Sequence, residues 1–132
     1  MRTILLSGAN SGIGLRIAHK ELHEGNRLSL GVRDLNSFEN SIINPKDWPR
    51  DQLLLNEYDA MDCNSAQNWI NNTVNKFKTF DTLINCAGTL SKVPFLYEIE
   101  NKDEILKTMQ INFFSVWDLC RLSWEMLSSS NN

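Results

Sequence analysis

Ile4-Leu5-Leu6-Ser7-Gly8-Ala9-Asn10-Ser11-Gly12-Ile13-Gly14 decides how the remainder of the chain is read. An apolar run ends in a turn carrying Gly8, Gly12 and Gly14, and a helical pattern starts at once. Glycine tolerates positive φ and has no Cβ to hold a ligand off the backbone. A helix beginning there points unpaired N–H groups and its positive dipole end at the turn, an arrangement suited to phosphate. The spacing is G-x-x-x-G-x-G, not the G-x-G-x-x-G of the general dinucleotide fingerprint. By itself it fits a plain strand-to-helix turn as well as a phosphate loop.

Outward from that turn, Thr3 to Ser7 reads as a short buried strand. The helix from Gly12 carries Ile13, Ile17, Ala18 and Leu22 on one stripe. Gly25-Asn26 is a helix stop, and Arg27-Leu28-Ser29-Leu30-Gly31-Val32 is a second strand. Together these form a βαβ unit with a right-handed crossover. Val32-Arg33-Asp34 follows. An acidic residue at this strand end accepts hydrogen bonds from a ribose 2′-hydroxyl, whereas an arginine pairs with a 2′-phosphate. Arg33 therefore favours NADP, and Asp34 remains the alternative ribose ligand for NAD.

The stretch from Phe38 to Gln52 is polar and holds Pro45 and Pro49; it predicts a short helix near Leu35 to Ile43 and then a loop. Leu53 to Tyr58 reads as a third strand. A helix from about Ser65 follows, capped by Asp62 or Asn64, with Ala66, Trp69, Ile70, Thr73, Val74 and Phe77 on its apolar stripe. Asp81 to Gly88 reads as a fourth strand entering a small-residue turn, where Ala87 and Gly88 let backbone approach a ligand. Pro94 sits in the next loop. Lys102 to Gln110 starts a helix, and a stripe continues through Phe113, Val116, Trp117, Cys120, Trp124 and Leu127, as one helix or two joined near Ile111-Asn112. The Asn112 amide either turns inward to a water or backbone carbonyl or faces solvent. Residues 128–132 form a polar tail after a single domain of residues 1–127.

Composition narrows the functional classes. With 132 residues, 42% hydrophobic, 22% charged and a net charge of −3, the chain is an ordinary globular domain without a basic run, so no nucleic-acid partner is expected. No apolar run approaches a membrane span, and the N-terminus has no cleavage signal. Cys63, Cys86 and Cys120 are odd in number and widely spaced, and read as buried free thiols of a cytoplasmic protein. His19 and His23 lie one helical turn apart, but the glutamate between them is one place late for a metalloprotease helix. No third ligand is evident, so they read as surface histidines and no metal is expected.

Taken together, the chain resembles the N-terminal half of a short-chain dehydrogenase/reductase. Ser7-Gly8-Ala9-Asn10-Ser11-Gly12-Ile13-Gly14 is similar to the family's T-G-x-x-x-G-I-G, with serine for threonine. Asn85-Cys86-Ala87-Gly88 resembles N-N-A-G, with Cys86 for the second asparagine. Asp59 falls where the family has an aspartate beside the adenine. Arg33 falls where NADP-preferring members carry a basic residue, and Val32 takes the place of the NAD-type aspartate. Asn112 matches the asparagine of the active-site tetrad, which helps hold a proton-relay water and the catalytic lysine. The resemblance covers essentially the whole chain.

The resemblance implies an α/β, Rossmann-like three-layer fold with a parallel sheet in the order 3-2-1-4, truncated before the fifth strand. Gly8, Asn10, Ser11, Gly12, Ile13 and Gly14 would hold the cofactor from the first turn, and Arg33, Asp59, Ala60, Asn85, Ala87 and Gly88 from the later strand ends. Asn112 is the one tetrad member in the chain. The family's catalytic serine and Y-x-x-x-K lie beyond these residues, and neither Tyr58 nor Tyr97 has a lysine four residues on. The implied activity is NADP-dependent oxidoreduction of a carbonyl or alcohol, which this chain alone is not expected to perform. Rival readings are a subunit of a split oxidoreductase, a nucleotide-binding regulatory module, or a degraded reading frame. A homo-oligomer or second polypeptide would meet the chain at the open fourth strand and the last two helices.

Overall fold

The computed structural model describes residues 1–92 and 101–130; Pro94 and Tyr97 lie outside them. Strands β1 (Thr3–Ser7), β2 (Arg27–Val32), β3 (Leu53–Glu57) and β4 (Thr82–Asn85) form one parallel sheet. Their order is β3-β2-β1-β4, as the resemblance implies. The register sets Ser7 beside Gly31 on one side and Asn85 on the other, so the exits of three strands are level.

Alternation along the strands divides the core. Ile4, Leu6, Leu28, Leu30 and Val32 face helix α1 (Gly12–His23), together with Phe38 and Ile43. Leu5 faces the opposite layer with Trp69, Ile70, Phe80 and Leu119. That layer contains helix α2 (Cys63–Phe77), α3 (Lys102–Met109) and α4 (Ser115–Ser129). At Gly31 a Cβ would come within 2.7 Å of the Trp69 ring, so the indole occupies the space that a side chain on β2 would need.

Between sheet and α2 lies a buried polar circuit. The Ser29 hydroxyl accepts from Trp69 Nε1 at 2.9 Å and from Asn56 Nδ2 at 3.1 Å. It lies 2.7 Å from the Thr73 hydroxyl, which in turn donates to the Trp69 carbonyl at 2.9 Å. Ser29 thus donates to Thr73, and every member has a partner, as buried polar groups require.

Helix boundaries follow local chemistry. Helix α1 ends in a Schellman motif: Gly25, at φ +81°, donates to the Leu22 carbonyl and Asn26 to that of Glu21. Its buried row is Gly14, Ala18 and Leu22. Ile13, expected on the core stripe, is 77% exposed; one residue is about 100° of rotation, enough to carry it off the sheet-facing row. Helix α2 starts at Cys63, earlier than expected, because Asp62 accepts the Asn64 N–H at 2.9 Å. Its buried residues are Ala66, Trp69, Ile70, Thr73 and Phe77, as its periodicity predicts.

The structure corrects two further expectations. The helix near Leu35 to Ile43 is only a 3-10 turn, Leu35–Phe38, followed by another at Pro45–Asp47. Asp34, Ser41 and Asn44 accept nearby backbone N–H groups and so compete with a continuous helix. The thiols are not buried: Cys63 and Cys120 are exposed and Cys86 is half-buried. Cys63 opens α2, and Cys120 lies off the buried row of α4.

The long helical stretch also departs from its expected stripe. A π turn at Gln110–Phe114 joins α3 to α4, with the Ser115 N–H on the Gln110 carbonyl and the Ser115 hydroxyl on that of Ile111, 2.6 Å away. The extra residue rotates the succeeding helix by about 100°. The buried row of α4 is therefore Ser115, Leu119 and Ser123. Phe113, Trp117 and Trp124, three of the expected stripe, are 56%, 57% and 69% exposed. Helix α4 continues through Ser129, so two of the polar residues after Leu127 are helical. Among the described residues, strand β4 pairs only with β1. Among the described residues no helix is long and apolar enough to cross a membrane.

Candidate functional site

The β1–α1 turn is held from both neighbouring strands. Gly8 donates to the Gly31 carbonyl at 3.1 Å. Ser7 Oγ accepts the N–H groups of Cys86 and Ala87, both at 3.2 Å, so a hydroxyl at this position stitches β1 to the exit of β4. Gly8 has φ +72°, and a Cβ there would lie 2.6 Å from Ala87 N. Gly14 packs beneath the turn, where a Cβ would meet the Gly8 carbonyl oxygen at 2.3 Å. Gly12 has φ +53° and open space around it. The three glycines thus answer three needs: close approach, close packing and a left-handed backbone.

Helix α1 starts at this turn. Its N-cap, Ser11, makes no side-chain capping hydrogen bond, and its first turn has no acidic residue. The opening N–H groups therefore face a region without a competing carboxylate of their own, which favours an anion.

A cavity of about 250 Å³ opens at the C-terminal ends of the strands. The first turn contributes Gly8, Asn10 and Ser11; β2 and its exit contribute Gly31, Val32 and Arg33. Tyr58, Asp59 and Ala60 come from the end of β3, and residues 86–89 from the end of β4. Lys107 and Ile111 close it from α3 and the π turn. This is where the order 3-2-1-4 reverses direction, the usual ligand crevice of such a sheet.

Of the residues singled out by sequence, eight line this cavity: Gly8, Asn10, Ser11, Arg33, Asp59, Ala60, Ala87 and Gly88. Gly12, Ile13, Gly14, Asn85 and Asn112 do not. Gly14 supports the turn from below, and Ile13 points into solvent. Asn85 directs its Nδ2 toward Cys120 Sγ at 3.9 Å, and its buried Oδ1 has no partner among the described residues. Asn112 grips Thr89, accepting its N–H at 2.8 Å and donating to its carbonyl at 2.7 Å. Of the two alternatives for this amide, it takes the backbone.

Asp34 is outside the lining; its carboxylate accepts the Asn36 N–H at 2.9 Å and caps the 3-10 turn. Arg33 stands at the rim, exposed, and among the described residues neither it nor Lys107 forms an ion pair. Asp59 Oδ1 is engaged by the Met61 N–H at 2.9 Å. Tyr58 is buried, its ring 5.1 Å from Trp69. Desolvation raises its phenol above the ordinary value of 10.0; the Ser115 side chain partly offsets this, and the Asp118 and Asp59 carboxylates add to the rise.

The short chain dehydrogenase family model matches residues 2–132. The chain belongs to that family. Among curated relatives, it is 27% identical to 11-beta-hydroxysteroid dehydrogenase A of Sesamum indicum over 98% of this chain and 37% of that protein. It is 34% identical to agropine synthesis reductase of Rhizobium rhizogenes over 75% of this chain and 22% of that one. A short-chain dehydrogenase/reductase of Caenorhabditis elegans, solved with cofactor, superposes with TM-score 0.86 at 23% identity, covering 98% of this chain and 49% of its own. One from Brucella melitensis gives 0.83 at 25% identity, covering 95% and 52%. The chain thus spans about half of these solved dehydrogenases and less of the curated relatives. Short-chain dehydrogenases bind nicotinamide dinucleotides.

Tyr58, Lys107 and Ile111 of the lining were not among the sequence candidates. Tyr58 sits one residue before Asp59, which could have signalled it. Nothing local marks Lys107: it reaches the cavity because Gln110 Nε2 donates to the Ala60 carbonyl at 3.2 Å and sets the end of α3 beside the exit of β3.

Proposed function

We propose that this chain forms the adenosine- and pyrophosphate-binding part of an NADP(H) site in a short-chain dehydrogenase. The observation that carries the reading is the cavity at the strand ends, which brings the Gly8 turn and the Arg33 guanidinium to one crevice. The residues present fit the cofactor. Gly8 offers bare backbone, and the start of α1 offers N–H groups to a pyrophosphate. Asp59 lies at the β3 exit to receive an adenine amino group, with Ala60 beside it. Arg33 supplies a planar cation for a 2′-phosphate, and Asp34, the rival ribose ligand, stands outside the cavity lining, where it caps the 3-10 turn.

The chemistry the bound cofactor would supply is hydride exchange with a carbonyl or an alcohol. A partner acid must protonate the reacting oxygen. Neither Tyr58 nor Tyr97 is followed by a lysine four residues on, and Tyr58 is packed against Trp69 at the adenine side. These 132 residues therefore bind and orient the cofactor, while the acid comes from outside them. Domain 1–127 acts as the cofactor-binding unit. A second reading, one subunit of a split oxidoreductase, is favoured by β4, which among the described residues pairs on one side only and leaves a row of backbone groups for an added strand.

The test is thermal unfolding of the purified chain with NADPH and with NADH at equal concentration. A ligand at 100 times its dissociation constant adds ~2.7 kcal/mol, or several degrees at this size. The reading expects a rise with NADPH and little with NADH. A cooperative transition moved by neither overturns it.

A further inference from the structure

We propose that His19 and His23 form a two-coordinate chelate for a borderline divalent transition-metal ion, Cu²⁺, Ni²⁺ or Zn²⁺, on the flank of α1. The residues are one turn apart on α1, and their Nε2 atoms converge to 3.1 Å. With metal–nitrogen bonds of about 2.0 Å, that separation subtends about 100° at the ion, between the octahedral and tetrahedral angles. Neutral imidazole suits these metals among the divalent ions.

The pair is also held in place. The His23 ring meets the edge of Trp48 with centroids 5.0 Å apart, and the half-buried Trp48 packs against the core beneath α1. The Trp48 contact restricts the His23 ring, so less rotamer freedom is lost on chelation. Of the charged neighbours, Lys20 lies 3.6 Å from Glu24, and Glu21 accepts from Asn26 Nδ2 at 2.7 Å. Without a metal, one ring donates its Nε2 proton to the other. On binding, that proton moves to Nδ1 of the same ring and both Nε2 lone pairs turn to the ion. His23 is exposed, and no group of three ligating side chains occurs among the described residues, so water completes the coordination.

Two probes test the site: Ni²⁺ in thermal unfolding and Cu²⁺ in electron paramagnetic resonance. The wild-type chain is expected to melt several degrees higher with saturating Ni²⁺ and to show hyperfine coupling from two nitrogens with Cu²⁺. His19→Gln and His23→Gln keep a good helix former at each position, and each is expected to lose the Ni²⁺ shift and the two-nitrogen spectrum. A wild-type chain without either signal overturns the proposal. So does retention of both signals in the variants, which would move the ion to other donors such as the exposed Cys63 or Cys120.

Discussion

Asn112 closes both polar ends of its amide on the backbone of a single residue, Thr89, at 2.8 and 2.7 Å. The π turn is thereby tied to the loop leaving β4, two segments that together line one wall of the cavity. Gly88 stands between them, where a Cβ would lie 3.4 Å from Asn112 Oδ1. Asn112→Ala is expected to cost about 1–2 kcal/mol, the net value of two hydrogen bonds. The loss should appear locally: faster exchange of the Thr89 amide, with the β1 and β2 amides unchanged. Uniform acceleration across the sheet would mean that Asn112 holds the whole fold rather than this junction.

Gly8 and Gly12 both have positive φ but differ in their surroundings. Gly12→Ala meets open space and should cost only the left-handed backbone, about 1–2 kcal/mol. Gly8→Ala adds a Cβ 2.6 Å from the Ala87 backbone and should push β1 and β4 apart as well. The expected order in denaturant midpoint is wild type, then Gly12→Ala, then Gly8→Ala. Dinucleotide binding should be lost in Gly8→Ala even where the chain remains folded.

Arg33→Ala separates the two cofactors. The exposed guanidinium touches no carboxylate among the described residues, so its removal should leave stability within about 0.5 kcal/mol. NADPH affinity is expected to fall by the value of a charge-assisted pair, about 1.5–3 kcal/mol, with NADH affinity little changed. Equal losses for both would remove the argument for a 2′-phosphate contact.

Ser29→Ala breaks the circuit under α2. The Trp69 N–H and the Asn56 amide lose their shared acceptor, and Thr73 loses a donor. A destabilisation of about 1–3 kcal/mol is expected, measured by urea unfolding. Gly31 beside it accepts no compensating bulk, since the Trp69 ring already fills that space.

Alkaline pH probes Tyr58. Burial raises its phenol in the folded chain, so above about pH 10 the unfolded state ionises while the native state keeps its proton. The stabilisation is complete below the unfolded value and is lost as pH rises through the higher folded value. Tyr58→Phe should remove that decline from the pH profile of the urea midpoint. A parallel profile in the variant would show that Tyr58 titrates like a solvated phenol.

Much of this architecture is written locally. The strand Thr3–Ser7, the Gly8 turn, the stop at Gly25 and the row Ala66, Trp69, Ile70, Thr73, Phe77 each follow from near neighbours. Backbone freedom and side-chain period act within a few residues, so sequence by itself determines them. With the Asn85-Cys86-Ala87-Gly88 run, they also suffice to place the chain in its family. Tertiary structure alone decided which face of α4 is buried, because one π turn before Ser115 rotates the helix and turns Ser115, Leu119 and Ser123 inward. It alone brought Lys107 and Tyr58 to the cavity, exposed Cys63 and Cys120, and bound Asn112 to Thr89. Those outcomes depend on how separate elements are set against each other, through contacts between residues far apart in the chain.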